Sequence, residues 1–64
     1  MKVWQIHSGP YDDDEGNWWL VAKAEYDDTT MNDIEIMFGD MEAAIKFKNT
    51  VDLAWDPVEI GEGV

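Results

Sequence analysis

Residues 18–26, which read WWLVAKAEY, are the stretch on which the expected fold of this chain depends. Successive side chains of a β-strand point to opposite faces, so Trp18, Leu20 and Ala22 share one face and Trp19 and Val21 share the other. Both faces therefore carry large apolar side chains. The pattern predicts a strand with no cleanly polar side.

A first strand is predicted over residues 3–8, on the N-terminal side of this stretch. Strict alternation places Trp4 and Ile6 on one face and Val3 and His7 on the other. This period is typical of a half-buried strand.

A third strand is predicted over residues 34–38, where apolar side chains again alternate with Glu35 and Met37. The segments between the strands, 9–17 and 27–33, are rich in Gly, Asp and Asn, and predict exposed loops.

A helix and a short last strand complete the predicted order. Asp40 follows a glycine and is placed to cap a helix over residues 41–51, because its carboxylate can accept hydrogen bonds from free N–H groups of the first turn. Pro57 is tolerated at the start of a strand, and Val58 and Ile60 would share one of its faces.

The order β-β-β-α-β predicts an α+β fold, with a small and mostly antiparallel sheet and one helix packed on one face. The 64 residues predict a single domain over 1–64. The last strand could lie parallel to the third or pair with the first. The predicted core comprises the side chains that would meet the helix: Trp4, Ile6, Trp18, Leu20, Ala22, Ile34, Ile36 and Phe38.

The charge of the chain restricts its partners. Fifteen Asp and Glu stand against four Lys and no Arg, which gives a net charge of −11. Such a chain is repelled by nucleic acids and by anionic membranes, so we expect neither direct nucleic-acid binding nor membrane binding. The expected partners are proteins with basic or apolar surfaces. Without cysteine or a long apolar run, we expect a cytoplasmic protein.

The residues offer little for catalysis. His7 is the one side chain with an ordinary pKa near neutrality, and Ser8 next to it would point to the opposite face of a regular strand. The chain has no Cys or Arg that could act as a nucleophile or stabilise an anion. We therefore expect a protein that is not an enzyme and that uses no cofactor.

A calcium site is the next alternative, because residues 12–17 read DDDEGN. If Gly16 held the sixth position of an EF-hand loop, Tyr11 would be the first and Ala22 the twelfth, and both obligatory carboxylates would be missing. We therefore predict no metal site, while weak divalent binding by the clustered carboxylates stays open.

The acidic loops could instead form a contact surface that imitates the phosphates of a nucleic acid and binds a basic groove. The alternative is that the charge serves only solubility. The candidate acidic contact surface comprises Asp12, Asp13, Asp14, Glu15, Asp27 and Asp28.

The face of the sheet away from the helix is expected to carry an apolar patch, made of Val3, Trp19, Val21 and Met37. An exposed apolar patch usually marks association, so this is the candidate partner or dimer interface. The alternative is that the loop 9–17 partly covers it.

A family resemblance lies in the second half of the chain. Phe38-Gly39-Asp40, then Ala44, Phe47-Lys48 and the closing stretch 57–60, PVEI, resemble the strand, capped helix and closing strand of short acidic proteins of tailed bacteriophages, notably those infecting marine cyanobacteria. The resemblance implies a viral origin and a location in the host cytoplasm, and it implies no activity. It favours a small binder of a host protein.

The expected function is thus a non-enzymatic, acidic protein-binding module, in the viral case a modulator or inhibitor of a host protein. The alternative is a structural homodimer without a host target.

Overall fold

The computed structural model describes residues 1–26 and 30–60. The elements are β1 (Lys2–Asp12), β2 (Trp18–Glu25), β3 (Met31–Phe38), α1 (Met41–Leu53) and β4 (Val58–Glu59). The predicted α+β class and the order β-β-β-α-β are confirmed.

The four strands form one sheet in the order β3-β2-β1-β4. Every neighbouring pair is antiparallel. The last strand pairs with the first, Lys2 opposite Glu59 and Val3 opposite Val58. This settles its position, which the sequence pattern left open.

Two of the predicted loops are shorter than expected because the strands extend into them. β1 continues through Gly9 and Pro10 to Asp12, and β3 begins at Met31. Gly9 has a φ of +106°, and a Cβ there would lie 2.6 Å from the carbonyl oxygen of Trp19. The close approach of β1 to β2 at this point therefore requires glycine.

β1 is irregular, and this overturns part of the face assignment. It has 11 residues against 8 in β2, and the pairing register shifts at three places, each a β-bulge or irregularity. Between Val3 and Gln5 the shift inserts one residue, so that Val3 opposite Ala24 and Ile6 opposite Ala22 face the same side. The strict alternation predicted for this strand is therefore wrong at its start.

The inserted residue changes the faces on which two side chains lie, relative to the prediction. Val3 is fully buried under the helix and does not lie on the open face, whereas Trp4 is 46% exposed and is not a core residue. The fully or largely buried residues are Val3, Ile6, Leu20, Ala22, Ala24, Ala44 and Val51. Packed against them, and half-buried, are four more of the predicted core residues: Trp18, Ile34, Ile36 and Phe38.

The helix begins as predicted. The Asp40 side chain accepts a hydrogen bond from the Ala43 backbone N–H at 2.7 Å, which satisfies one of the free donors of the first turn. α1 ends at Leu53, two residues beyond the predicted end. It packs most extensively on β1, and Phe47 reaches β3, with its ring centroid 5.6 Å from that of Phe38.

Candidate functional site

The acidic loop between β1 and β2 is ordered by its own carboxylates. Oδ1 of Asp13 accepts hydrogen bonds from the backbone N–H groups of Glu15 (2.9 Å) and Asn17 (3.1 Å). Oδ2 of Asp13 accepts from the indole Nε1 of Trp19 at 2.9 Å. The Asp12 side chain accepts from the backbone N–H of Asp14 at 2.8 Å. The loop thus has a defined shape that depends chiefly on Asp13.

These hydrogen bonds favour the ionised form of Asp13. The indole N–H of Trp19 is the largest cause, and the backbone N–H of Glu15 the second; together with Asn17 they lower the pKa of Asp13 to about 2. The carboxylate that organises the loop therefore stays charged well into the acid range.

Asp13→Asn is expected to destabilise the protein at neutral pH relative to Asp14→Asn. Both variants lose one negative charge, but only the first loses the acceptor for the Trp19 indole, and Asn suits the positive φ of 67° at position 14. Because the folded pKa of Asp13 is below its unfolded value, its contribution is present above pH 4 and is lost as pH falls towards 2. Urea denaturation of both variants between pH 7 and pH 2 measures it.

The two stability curves should converge at the acid end of this range. A difference between the variants that is independent of pH would show that the hydrogen bonds of Asp13 do not depend on its charge.

The register of the sheet brings further acids to the same end of the molecule. Asp12, Trp18 and Phe38 lie side by side on three neighbouring strands, and Asp40 and Glu42 follow Phe38 closely along the chain. Adjacent strands are about 4.8 Å apart, so the ends of β1 and β3 are about 10 Å apart. We call this surface the acidic end: Asp12, Asp13, Asp14, Glu15, Asp40 and Glu42.

The four lysines lie elsewhere. Lys2 and Lys23 occupy the opposite half of the sheet, where Lys2 is opposite Glu25 and Glu59 and Lys23 is opposite Asp33. Lys46 and Lys48 follow the first turn of the helix, and Lys48 is paired with Asp52 at 3.0 Å. Lys46 lies one helical turn from Glu42, but none of the four lysines forms a salt bridge with a carboxylate of the acidic end. Asp27 and Asp28, the other acids predicted for the contact surface, lie outside the described residues.

Beside the acidic end, the open face of the sheet carries a row of apolar side chains. Tyr11, Trp19 and Met37 are neighbours on β1, β2 and β3, and we call them the open-face row. Tyr11 is 54% and Met37 55% exposed, whereas Trp19 and its neighbour Val21 are half-buried. Three of the four residues predicted for the interface thus share this face, and Val3 does not.

The sequence pattern missed Tyr11, because position 11 was assigned to a loop. The indole N–H of Trp19 is hydrogen-bonded to Asp13, so the edge of this indole is fixed by the acidic loop. Met37 and Tyr11 stay exposed.

His7 lies on the open face at the second register shift of β1. Its Nε2 is 3.1 Å from Oδ1 of Asp33, and both side chains are well exposed. The shift also turns Ser8, opposite Val21, to this face, so the expected opposite orientation of the two side chains is wrong. Among the described residues, His7 and Ser8 nevertheless form no hydrogen bond with each other.

The end of the helix and the connection after it carry two apolar side chains that the sequence pattern left unassigned. Leu53 is 82% exposed and Trp55 is fully exposed. Leu53 is the last residue of α1 and Trp55 follows it closely, so both lie at the opposite end of the helix from the acidic end.

Within residues 1–26 and 30–60, no three His, Cys, Asp or Glu side chains are grouped so that they could hold a metal ion. No helix in this part of the chain has the length and apolar character needed to cross a membrane. No protein-family model matches the chain, and neither the curated proteins nor the solved structures contain a match to it.

Proposed function

We propose that this chain is a non-enzymatic binding module whose acidic end docks on a basic surface of another protein. The observation that supports the proposal is the gathering of six carboxylates at one end, none of which forms a salt bridge with a lysine. The open-face row, next to this end, would supply apolar contact area.

The physical basis is the attraction that basic proteins have for phosphate. Carboxylates fixed on a rigid scaffold focus the field at one end of the molecule, and they steer a cationic partner over about one Debye length, roughly 8 Å at physiological ionic strength. A basic groove that binds nucleic-acid phosphates is therefore a suitable partner. The resemblance to short phage proteins adds that the partner would be a host protein.

The test compares two variants of equal charge. The first converts four carboxylates of the acidic end to amides: Asp12→Asn, Asp14→Asn, Glu15→Gln and Glu42→Gln. It keeps Asp13 and Asp40, which accept hydrogen bonds from backbone N–H groups, and at position 12 the amide oxygen can still accept from the Asp14 N–H. The control makes the same number of changes outside both the acidic end and the edge of β3: Glu25→Gln, Asp52→Asn, Asp56→Asn and Glu59→Gln. Each variant loses four of the fifteen acids.

The wild-type protein and both variants are immobilised and exposed to a bacterial extract, and each captured protein is purified and titrated by calorimetry. We expect a basic protein that binds the wild type and the control with similar affinity and the first variant at least tenfold more weakly, with a weaker salt dependence. Equal loss in both variants would mean that net charge alone causes the binding, and the acidic end would not be the site.

The second candidate function is a homodimer without another target, and the exposure of Tyr11 and Met37 on the open face favours it. Sedimentation velocity at about 50 mM and about 500 mM NaCl distinguishes the two, because a dimer of so acidic a chain should strengthen as salt screens its repulsion. A basic partner should instead be released by salt.

A further inference from the structure

We propose that the outer edge of β3 receives an extended, basic segment of a partner protein as an additional antiparallel strand. β3 is an edge strand of the sheet formed by the described residues. Its eight residues pair with β2 one to one, without a bulge, and the segment contains neither proline nor glycine. An edge of this length and regularity is a template for another strand.

The opposite edge of the sheet has features that commonly prevent the addition of another strand. β1 is interrupted by three register shifts and contains Pro10, which has no N–H to donate. β4 in addition covers Lys2 and Val3. Among the described residues, β3 has no such protection except the charges of Asp33 and Glu35. The β3 edge is therefore more open to an added strand than the opposite edge.

The backbone groups that would receive the strand can be identified. The Tyr26 N–H donates to the Thr30 carbonyl oxygen at 3.0 Å, at the start of the β2–β3 ladder. Hydrogen-bonded pairs alternate along an antiparallel ladder, so Ala24–Asn32 and Ala22–Ile34 are bonded pairs in this register. The N–H and C=O groups of Met31, Asp33, Glu35 and Met37 therefore point away from β2.

The side chains of β3 specify the chemistry of the added strand. On the open face, Asp33 lies near His7 and opposite Lys23, but Glu35 lies opposite Val21 and forms no salt bridge with any described residue. On the helix side, Ile34 and Ile36 are only half-buried, since the helix packs mainly on β1. A strand with Lys or Arg on one face and β-branched residues on the other complements both.

A second copy of β3 fits this edge poorly. Consider two antiparallel copies of β3 paired so that their open faces lie on the same side of the joined sheet. The two registers with the greatest overlap place Asp33 opposite Glu35, or Glu35 opposite Glu35. Like charges directly opposite each other destabilise a strand pair, and each copy carries a net charge of −11. The charges thus favour a basic segment over self-association.

The proposal does not rest on the acidic end, and its test separates the two surfaces. The probe is a synthetic peptide as long as β3 in which lysine alternates with valine, and its control has the same composition with the lysines and valines grouped in two blocks. Binding of the peptides to the full chain is measured by calorimetry, and amide hydrogen exchange of the protein is measured with and without the alternating peptide.

We expect the alternating peptide to slow exchange at Met31, Asp33, Glu35 and Met37, and to bind more tightly than the blocked one. Slowed exchange confined to residues 12–17, or equal binding of both peptides, would overturn the proposal, because either result describes charge attraction without strand pairing. Protection that depends on protein concentration and needs no peptide would also overturn it, in favour of a second copy.

Two variants of one residue complete the test. Glu35→Gln removes the charge and keeps the N–H, and should weaken the alternating peptide about threefold. Glu35→Pro also removes the outward N–H, which forms no hydrogen bond with β2, and should weaken the binding of the alternating peptide more than tenfold. Asp56→Asn, with the same loss of charge in the connection after the helix and outside both proposed surfaces, should have little effect. The proposal would be contradicted if Glu35→Pro, shown by circular dichroism to be folded, bound the alternating peptide as tightly as Glu35→Gln does.

Discussion

Leu20→Ala is expected to lower the free energy of unfolding by about 2–5 kcal/mol, a large share of the stability of so small a domain. Leu20 is fully buried in the middle of β2, between the sheet and the helix. Truncation removes apolar contacts and leaves a cavity that neighbouring strands cannot close. Urea denaturation followed by circular dichroism measures the loss.

Val21→Ala is the matched control, since Val21 is the next residue of the same strand and lies half-buried on the open face. It should cost about 1 kcal/mol, because the open face offers less burial. Equal losses for the two variants would mean that both faces of β2 are equally covered, and the assignment of the open face would be wrong.

Gly9→Ala is expected to be the other strongly destabilising change, by about 2–5 kcal/mol. Position 9 has a φ of +106°, which costs an alanine about 1–2 kcal/mol, and the new Cβ would lie 2.6 Å from the Trp19 carbonyl oxygen. A backbone atom cannot turn away as a side chain can, so β1 and β2 must separate locally, at a further cost of about 1–3 kcal/mol.

Gly16→Ala separates the conformational contribution from the steric one. Gly16 also has a positive φ, +87°, but a Cβ there meets no atom within 4 Å. It should lose only the conformational part, about 1–2 kcal/mol. Thermal unfolding of the two variants gives the comparison, and a Gly9→Ala protein as stable as Gly16→Ala would show that β1 and β2 do not approach each other as closely at this point.

The regular parts of the fold follow from local sequence, and the irregular part does not. In β2 and β3 the pairing is one to one, so the alternation of Trp18, Leu20 and Ala22 with Trp19 and Val21 predicts their faces correctly. In β1 each bulge inserts a residue, and the alternation of Val3 and Trp4 is reversed. Bulges depend on how two strands fit together, and no local pattern of one strand encodes that.

The candidate site, too, can be predicted from the sequence only in part. The carboxylates and the exposed position of Met37 can be predicted from the residues, but the clustering of Asp12 with Asp40 cannot, because it depends on the register that sets the ends of three strands side by side. Tyr11 joined the open-face row for the same reason. The role of Asp13 in ordering its loop depends on the distance to the Trp19 indole, which only the folded hairpin defines.

The pairing of β4 with β1 has a consequence for the order of folding. β1, β2 and β3 are successive along the chain and can pair through short connections, whereas the contact between the Met1 carbonyl oxygen and the Ile60 N–H closes a loop of nearly all the described residues. Such a closure costs more chain entropy than a hairpin, and a strand of two residues forms few hydrogen bonds to offset that cost. β4 should therefore be the last element to form and the first to open. Each opening would uncover Lys2 and Val3, and β1 would for that moment be the edge strand along its whole length.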